Sequence, residues 1–207
     1  MTKNLDKEGL SSIVDNYQLF YVDLWGVVHN GISLHSEAIK TLKEITKKNK
    51  DYILLTNAPR PNHVVKSFLE KLGMDKEIRN HVFTSGEAAL VYLKKNFSKK
   101  TFFHIGPPRD FDLFKKFEEF KLDKIEDAEY ILCTGLFDDH NKDLKYYKYL
   151  FENNIKKKMI CTNPDLIVDR GNVREFCAGS VAMVFEKMGG KVVYFGKPHP
   201  EVYNQSI

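Results

Sequence analysis

Each shortage in this 207-residue sequence narrows what the chain can do. No apolar run approaches the ~18 residues that a membrane-spanning helix needs. The opening stretch, Met1-Thr2-Lys3-Asn4-Leu5-Asp6, lacks the apolar segment of a secretory signal. Cysteine is sparse. Cys133, Cys161 and Cys177 are an odd number at wide spacing with no metal-ligand pattern, which reads as buried thiols in a reducing compartment. Arginine is scarcer still, with five (Arg60, Arg79, Arg109, Arg170, Arg174) against 27 lysines. The lysines alternate with acids, as in Lys115-Lys116-Phe117-Glu118-Glu119, so the net charge of +4 is spread over solvated helix faces. A nucleic-acid footprint would cluster its cations on one surface. The expectation is a cytoplasmic globular protein without a membrane or nucleic-acid partner. Repeats and low-complexity tracts are also absent.

What is present is enough for a buried core and a charged surface, with 43% hydrophobic and 29% charged residues. Apolar runs alternate with helical patterns. Leu19–Val22, Tyr52–Leu55 and His81–Thr84 read as strands. A helix capped by Ser36 follows the first, with Ala38, Leu42 and Ile45 on its apolar face. Another, with Val65, Phe68, Leu69 and Leu72 on one face, ends at Gly73; a third is capped by Ser85. A second series places strands at Phe102–Ile105, Tyr130–Cys133 and Met159–Cys161. Helices carry Leu113, Phe117 and Phe120 in one case and Leu144, Tyr147 and Phe151 in the other. A helix over Ala178–Met188 and a strand over Val192–Phe195 complete the pattern. Strands apolar on both faces, alternating with helices, predict a parallel sheet in an α/β fold.

Ligands of such sheets bind beyond the carboxyl ends of the strands. Asp23, Thr56 and Lys197 stand there after three strand candidates. An acid, a hydroxyl and an amine at one edge make an anion site containing a nucleophile. Taken singly, Asp or Thr after a strand also caps a turn, and a lone Lys is also a surface residue. Gly26 permits a tight turn just past Asp23, and Asn30-Gly31 between apolar residues predicts a small hairpin.

These segments resemble the motifs of the haloacid dehalogenase (HAD) superfamily, in its NagD-like branch. Asp23-Leu24-Trp25-Gly26-Val27 through Gly31 is similar to the first motif, with its turn and flap. Leu54-Leu55-Thr56-Asn57 with Arg60 is similar to the second, and Gly196-Lys197-Pro198-His199-Pro200 with Tyr203 to the third. Thr84-Ser85-Gly86-Glu87-Ala88 and Asn163-Pro164-Asp165-Leu166 also match the branch, so the resemblance runs over most of the chain. It implies a Rossmann-like parallel-sheet core with an inserted, smaller α/β cap. The core would be residues 1–99 and 174–207, and the cap residues 100–173. It further implies a phosphatase acting on a small phosphorylated metabolite through an aspartyl-phosphate. Asp23 would be the nucleophile; Mg²⁺ would be bound by Asp23 and the backbone carbonyl of Trp25. Lys197 would neutralise phosphate charge. Thr56 and the backbone near Asn57 would hold a phosphate oxygen, with Gly26 in the binding turn. Asp165 would face the substrate; the alternative for it is a turn cap after Pro164. A homo-oligomer is compatible with all of this.

Two departures stand against the family pattern. The acid that usually follows the nucleophile by two residues is replaced by Trp25, which cannot transfer a proton. General acid–base help is worth typically ~10²–10⁴-fold, so slow hydrolysis restricted to good leaving groups is expected. Secondly, few residues follow Lys197, so the chain reads as truncated before the family's fourth motif and its acidic metal ligand. Both departures leave open a catalytically weak or inactive phospho-ligand-binding protein. The aromatic at position 25 also admits halide as the leaving group, as in dehalogenases of the superfamily.

Overall fold

The computed structural model describes Leu5, Glu8–Arg170 and Val173–Ile207. It resolves into two compact units. The first comprises residues 1–55 and 66–82, and the second 56–65 and 83–207.

The first unit is built on β1 (Leu19–Val22), α1 (Ser36–Lys47) and β2 (Asp51–Thr56). β1 and β2 run parallel, with Leu19 opposite Asp51 and Val22 opposite Leu54. Leu42 and Ile45 form the buried stripe of α1, and Tyr52, Leu54 and Leu55 are buried in β2. The helix begins at Ser36 with His35 in the capping position, so Ser36 does not cap it. Further on, α2 (Asn62–Lys71) and α3 (Lys76–Arg79) lead to β3 (Val82–Thr84), which completes a sheet of order β1-β2-β3. Val14, Leu24, Val28, Leu69, Met74, Ile78 and Val82 supply further buried apolar groups of this unit.

The second unit opens its own βα series with α4 (Ser85–Asn96) and β4 (Phe102–Ile105). The cap of α4 is Thr84, whose hydroxyl accepts from the Glu87 N–H at 2.9 Å, rather than Ser85. Where an α-helix was expected around Leu113, Phe117 and Phe120, two short 3₁₀ helices stand, Pro108–Leu113 and Lys115–Phe120. Phe117 breaks the helical dihedrals inside the second, and both Phe114 and Phe117 turn their rings onto Phe102 at 5.5 Å. Burying two rings on one strand residue outweighs a single regular helix here.

The chain continues through β5 (Lys121–Leu122), β6 (Tyr130–Cys133), α5 (Leu144–Phe151) and β7 (Lys158–Cys161). A hairpin of β8 (Ile167–Arg170) and β9 (Val173–Phe176) precedes α6 (Ala178–Lys187), β10 (Lys191–Tyr194) and α7 (Pro200–Ser206). The second sheet has the order β10-β7-β6-β4-β5, and all its pairs are parallel. β10, which leads to Lys197, therefore lies beside β7 in the same sheet as β4 and β6. The sequence-based boundary at 173/174 had separated them. The cause is α6: Val181, Ala182 and Phe185 are fully buried in one core with Ile131, Tyr147, Phe151 and Met159, which seats β10 next to β7. All three cysteines are buried. Burial holds the Cys133 thiol well above its ordinary pKa and pushes Cys161 up to about 12, so these thiols are packing groups. Among the described residues, no helix is long and apolar enough to cross a membrane.

Candidate functional site

In the first unit, the chain leaves β1 at Asp23, whose Oδ1 accepts from the Leu24 N–H at 2.8 Å. A tight turn follows. The Leu24 carbonyl accepts from Val28 at 2.9 Å and His29 at 3.1 Å, and the Gly26 N–H donates back to the His29 carbonyl at 2.8 Å. Gly26 sits at φ +76°, a region that side chains rarely adopt. The expected hairpin reduces to isolated bridges, Trp25 with His29 and His29 with Leu34. Its tip is an Asx turn instead, in which Asn30 Oδ1 accepts from the N–H groups of Ile32 (3.0 Å) and Ser33 (2.9 Å). The indole of Trp25 lies against Gly31, where an added Cβ would come within 2.7 Å of the ring. Its ring meets the His29 imidazole edge-on at 5.4 Å, and His29 Nδ1 accepts from the Gly31 N–H at 3.0 Å. Burial lowers the pKa of His29, with His35 adding to the effect and Asp23 opposing it.

In the second unit, three residues singled out from sequence meet directly. Asn57, buried, donates from Nδ2 to Asp165 Oδ1 at 2.8 Å and to the Lys197 carbonyl at 3.0 Å, and its Oδ1 accepts from the Lys197 N–H at 2.7 Å. Beside it, the buried Thr56 hydroxyl accepts from the Ala58 N–H at 3.3 Å. Asp165 is fixed by its own turn: its N–H donates to Asn163 Oδ1 at 3.0 Å, and its carbonyl accepts from Gly179 at 3.1 Å. Gly196, at φ +122°, leaves no room for a side chain against Asn57 and Pro164. The Lys197–Pro198 peptide is cis. His199 does not turn toward this cluster, because its ring stacks on Tyr194 at 4.8 Å.

The sequence assigns Thr84 to the end of a strand and Ser85 to a helix cap, but the part this segment plays in holding the loop after Thr56 is visible only in the structure. These residues clamp the loop after Thr56. Ser85 Oγ and the Gly86 N–H both bond the Ala58 carbonyl, Thr84 Oγ1 bonds the Arg60 carbonyl, and Glu87 accepts from the Asn62 N–H. Gly86 lies against the Arg60 backbone, where a Cβ would come within 2.4 Å. Asp110 was missed altogether. It is buried and bonds the Arg60 guanidinium at 3.3 Å; burial raises its carboxyl pKa, with Arg60 opposing. Its signal in the sequence was its place in the Gly106-Pro107-Pro108-Arg109-Asp110 loop just beyond β4. Nearby, buried His104 shares a 2.8 Å hydrogen bond with Thr134, and burial lowers its pKa to about 4.

Among the described residues, no three His, Cys, Asp or Glu side chains gather as a metal cage. One carboxylate and one backbone carbonyl are nevertheless hard oxygen donors of the kind Mg²⁺ takes alongside substrate oxygens and water. Asp23 and Trp25 fit that partial role.

The fold and the comparisons together define the class as hydrolytic enzymes built on parallel α/β sheets. The sequence profile of the haloacid dehalogenase-like hydrolases matches residues 20–119. A haloacid dehalogenase-like hydrolase from Brucella suis is 32% identical over 95% of this chain and 72% of its own, with a TM-score of 0.84. A 4-nitrophenylphosphatase from Thermotoga maritima is 26% identical, covering 93% and 73%, with a TM-score of 0.70. A structure described as a nagD protein is 25% identical, covering 92% and 75%, with a TM-score of 0.69. No curated protein matches the chain. The chain belongs to the haloacid dehalogenase-like hydrolase family, in its NagD-like branch.

Proposed function

We propose that this hydrolase is a Mg²⁺-dependent phosphatase of a small phosphorylated metabolite, working through an aspartyl-phosphate on Asp23. The observation that carries the reading is the direct meeting of Asn57, Asp165 and Lys197 immediately after Thr56. It holds the backbone of Lys197 beside the Thr56–Asn57 segment, although 140 positions separate Asn57 from Lys197 in sequence, and so brings together the two residues, a cation and a hydroxyl, that a phosphate group calls for.

In the reaction, a carboxylate oxygen of Asp23 attacks phosphorus, the ester P–O bond breaks, and the leaving oxygen departs as an anion that takes its proton from water. Water then attacks the acyl-phosphate, releasing inorganic phosphate and regenerating Asp23. Lys197 offsets the repulsion between carboxylate and phosphate, and Thr56 holds a phosphate oxygen. Asp165 and Gly26 line the substrate side. Mg²⁺, held by Asp23 and the Trp25 carbonyl, would add further positive charge at the phosphate. The second sheet, with its βα loops, serves as the inserted cap, and its extent includes β10 rather than ending at 173.

Trp25 favours one variation. Its indole packs against Gly31 and His29 and carries no group that transfers a proton in this pH range, so position 25 offers no proton for the leaving group. Turnover is therefore slow, and a purely ligand-binding protein is the competing reading. The test uses 4-nitrophenyl phosphate with and without Mg²⁺. Metal-dependent release of 4-nitrophenol, abolished in Asp23→Asn, together with a trapped phospho-Asp23, is the expected result. Saturable phosphate binding with no phosphoenzyme would sink the phosphatase reading.

A further inference from the structure

We infer that Asn57 is a positioning residue for Lys197, not a substrate contact; the inference rests on the phosphatase reading for its kinetic consequence. The side-chain amide of Asn57 bonds both the N–H and the C=O of Lys197, as a neighbouring strand would. Its second donor bond goes to Asp165, which is itself anchored by Asn163 and by the first turn of α6. This set leaves one orientation of the amide. The NH₂ faces two acceptor oxygens and the Oδ1 faces one donor; the flipped form would set oxygen against oxygen. Both donor hydrogens of the Asn57 side chain are thus engaged by protein, and its oxygen accepts from Lys197. Burial makes each of these bonds costly to leave unmade.

The consequence concerns where a positive charge sits. Lys197 follows β10 through Phe195 and Gly196, and Gly196 is in a backbone state that only glycine takes easily. Such a backbone permits many paths. Asn57 selects one, and Asp165 holds Asn57 in the orientation that does so. On the other side of the same loop, Arg60 is tied to buried Asp110. Residues 57–60 are therefore fastened to the second sheet at two points, and the lysine is placed by the first of them.

The test substitutes Asn57→Asp, which keeps the size and removes both donor bonds. We expect kcat for 4-nitrophenyl phosphate to fall roughly 10²-fold while KM changes by less than about threefold. Hydrogen exchange at the Lys197 amide, read by NMR without substrate, should accelerate. If Asn57→Asp does not fold, Asp165→Asn retains the shape and loosens the amide; the same two readouts should then move in the same direction by less. A rise in KM at constant kcat, with Lys197 exchange unchanged, would overturn the inference and make Asn57 a substrate contact. If the unsubstituted chain shows no turnover, the phosphatase reading fails separately, and Lys197 exchange alone decides the positioning role.

Discussion

Gly31 and Gly196 both sit at positive φ, and both leave no space for a Cβ, but what stands in that space differs. In the first unit it is the outer edge of the Trp25 ring, a side chain with two torsions that can give. In the second it is Asn57 Oδ1, held by a hydrogen bond, together with the Pro164 ring. The loop around Asp23 is shaped by main-chain bonds and an aromatic lid; the loop at Lys197 is shaped by polar side chains from distant parts of the sequence. Main-chain turns of the first kind tolerate adjustment. A buried amide network of the second kind fails as a unit.

The contrast can be broken most severely at Gly196. Gly196→Ala should destabilise the second unit by about 3 kcal/mol or more and remove phosphatase turnover, because strain and a lost Asn57 bond act together. Chemical denaturation and 4-nitrophenyl phosphate assays would check both. Gly31→Ala carries the strain of its positive φ but otherwise meets only a side-chain ring, so a smaller loss of about 1–2 kcal/mol is expected, with turnover largely retained. If the two alanine variants cost the same, the distinction between the loops does not hold.

The smallest effect concerns pH. His104, with a folded pKa of about 4 against an ordinary 6.5, stays neutral in the native protein while the unfolded chain takes up a proton. Its contribution is present above pH 6.5 and is lost as pH falls toward 4, at most about 3 kcal/mol. Asp110 has the opposite sign. Its raised pKa makes its ionisation costly above the ordinary carboxylate range, so acidification relieves that cost. Thermal melts from pH 7 to 4 should show a decline that flattens in His104→Gln, which keeps a partner for Thr134. An unchanged slope would remove His104 as the cause.

Much of the fold was legible because strand and helix periods are local. Tyr52–Leu55 and Tyr130–Cys133 are apolar on both faces, and they appear as buried parallel strands. The helix expected around Phe117 failed because a tertiary contact with Phe102 overrode a local stripe. The pairing of β10 with β7 was not legible either. Strand order depends on which face α6 buries, and no local pattern encodes it. Of the candidate residues, Asp23, Thr56 and Lys197 were visible as polar residues at strand ends. The hydrogen bonds of Asn57 span 108 and 140 residues, and Asp110 lies 50 residues from Arg60; such separations leave no periodic trace.

The contact between Trp25 and Gly31 ties two positions together as a single unit of variation. Restoring an acid at position 25, the obvious route to a faster enzyme, would strip the roof from Gly31 and the edge-on partner from His29 in the same step. A larger residue at 31 would not readily refill the space, because φ +88° is a conformation that few side chains adopt. Position 25 thus carries packing as well as chemistry, and a change made there for one alters the other.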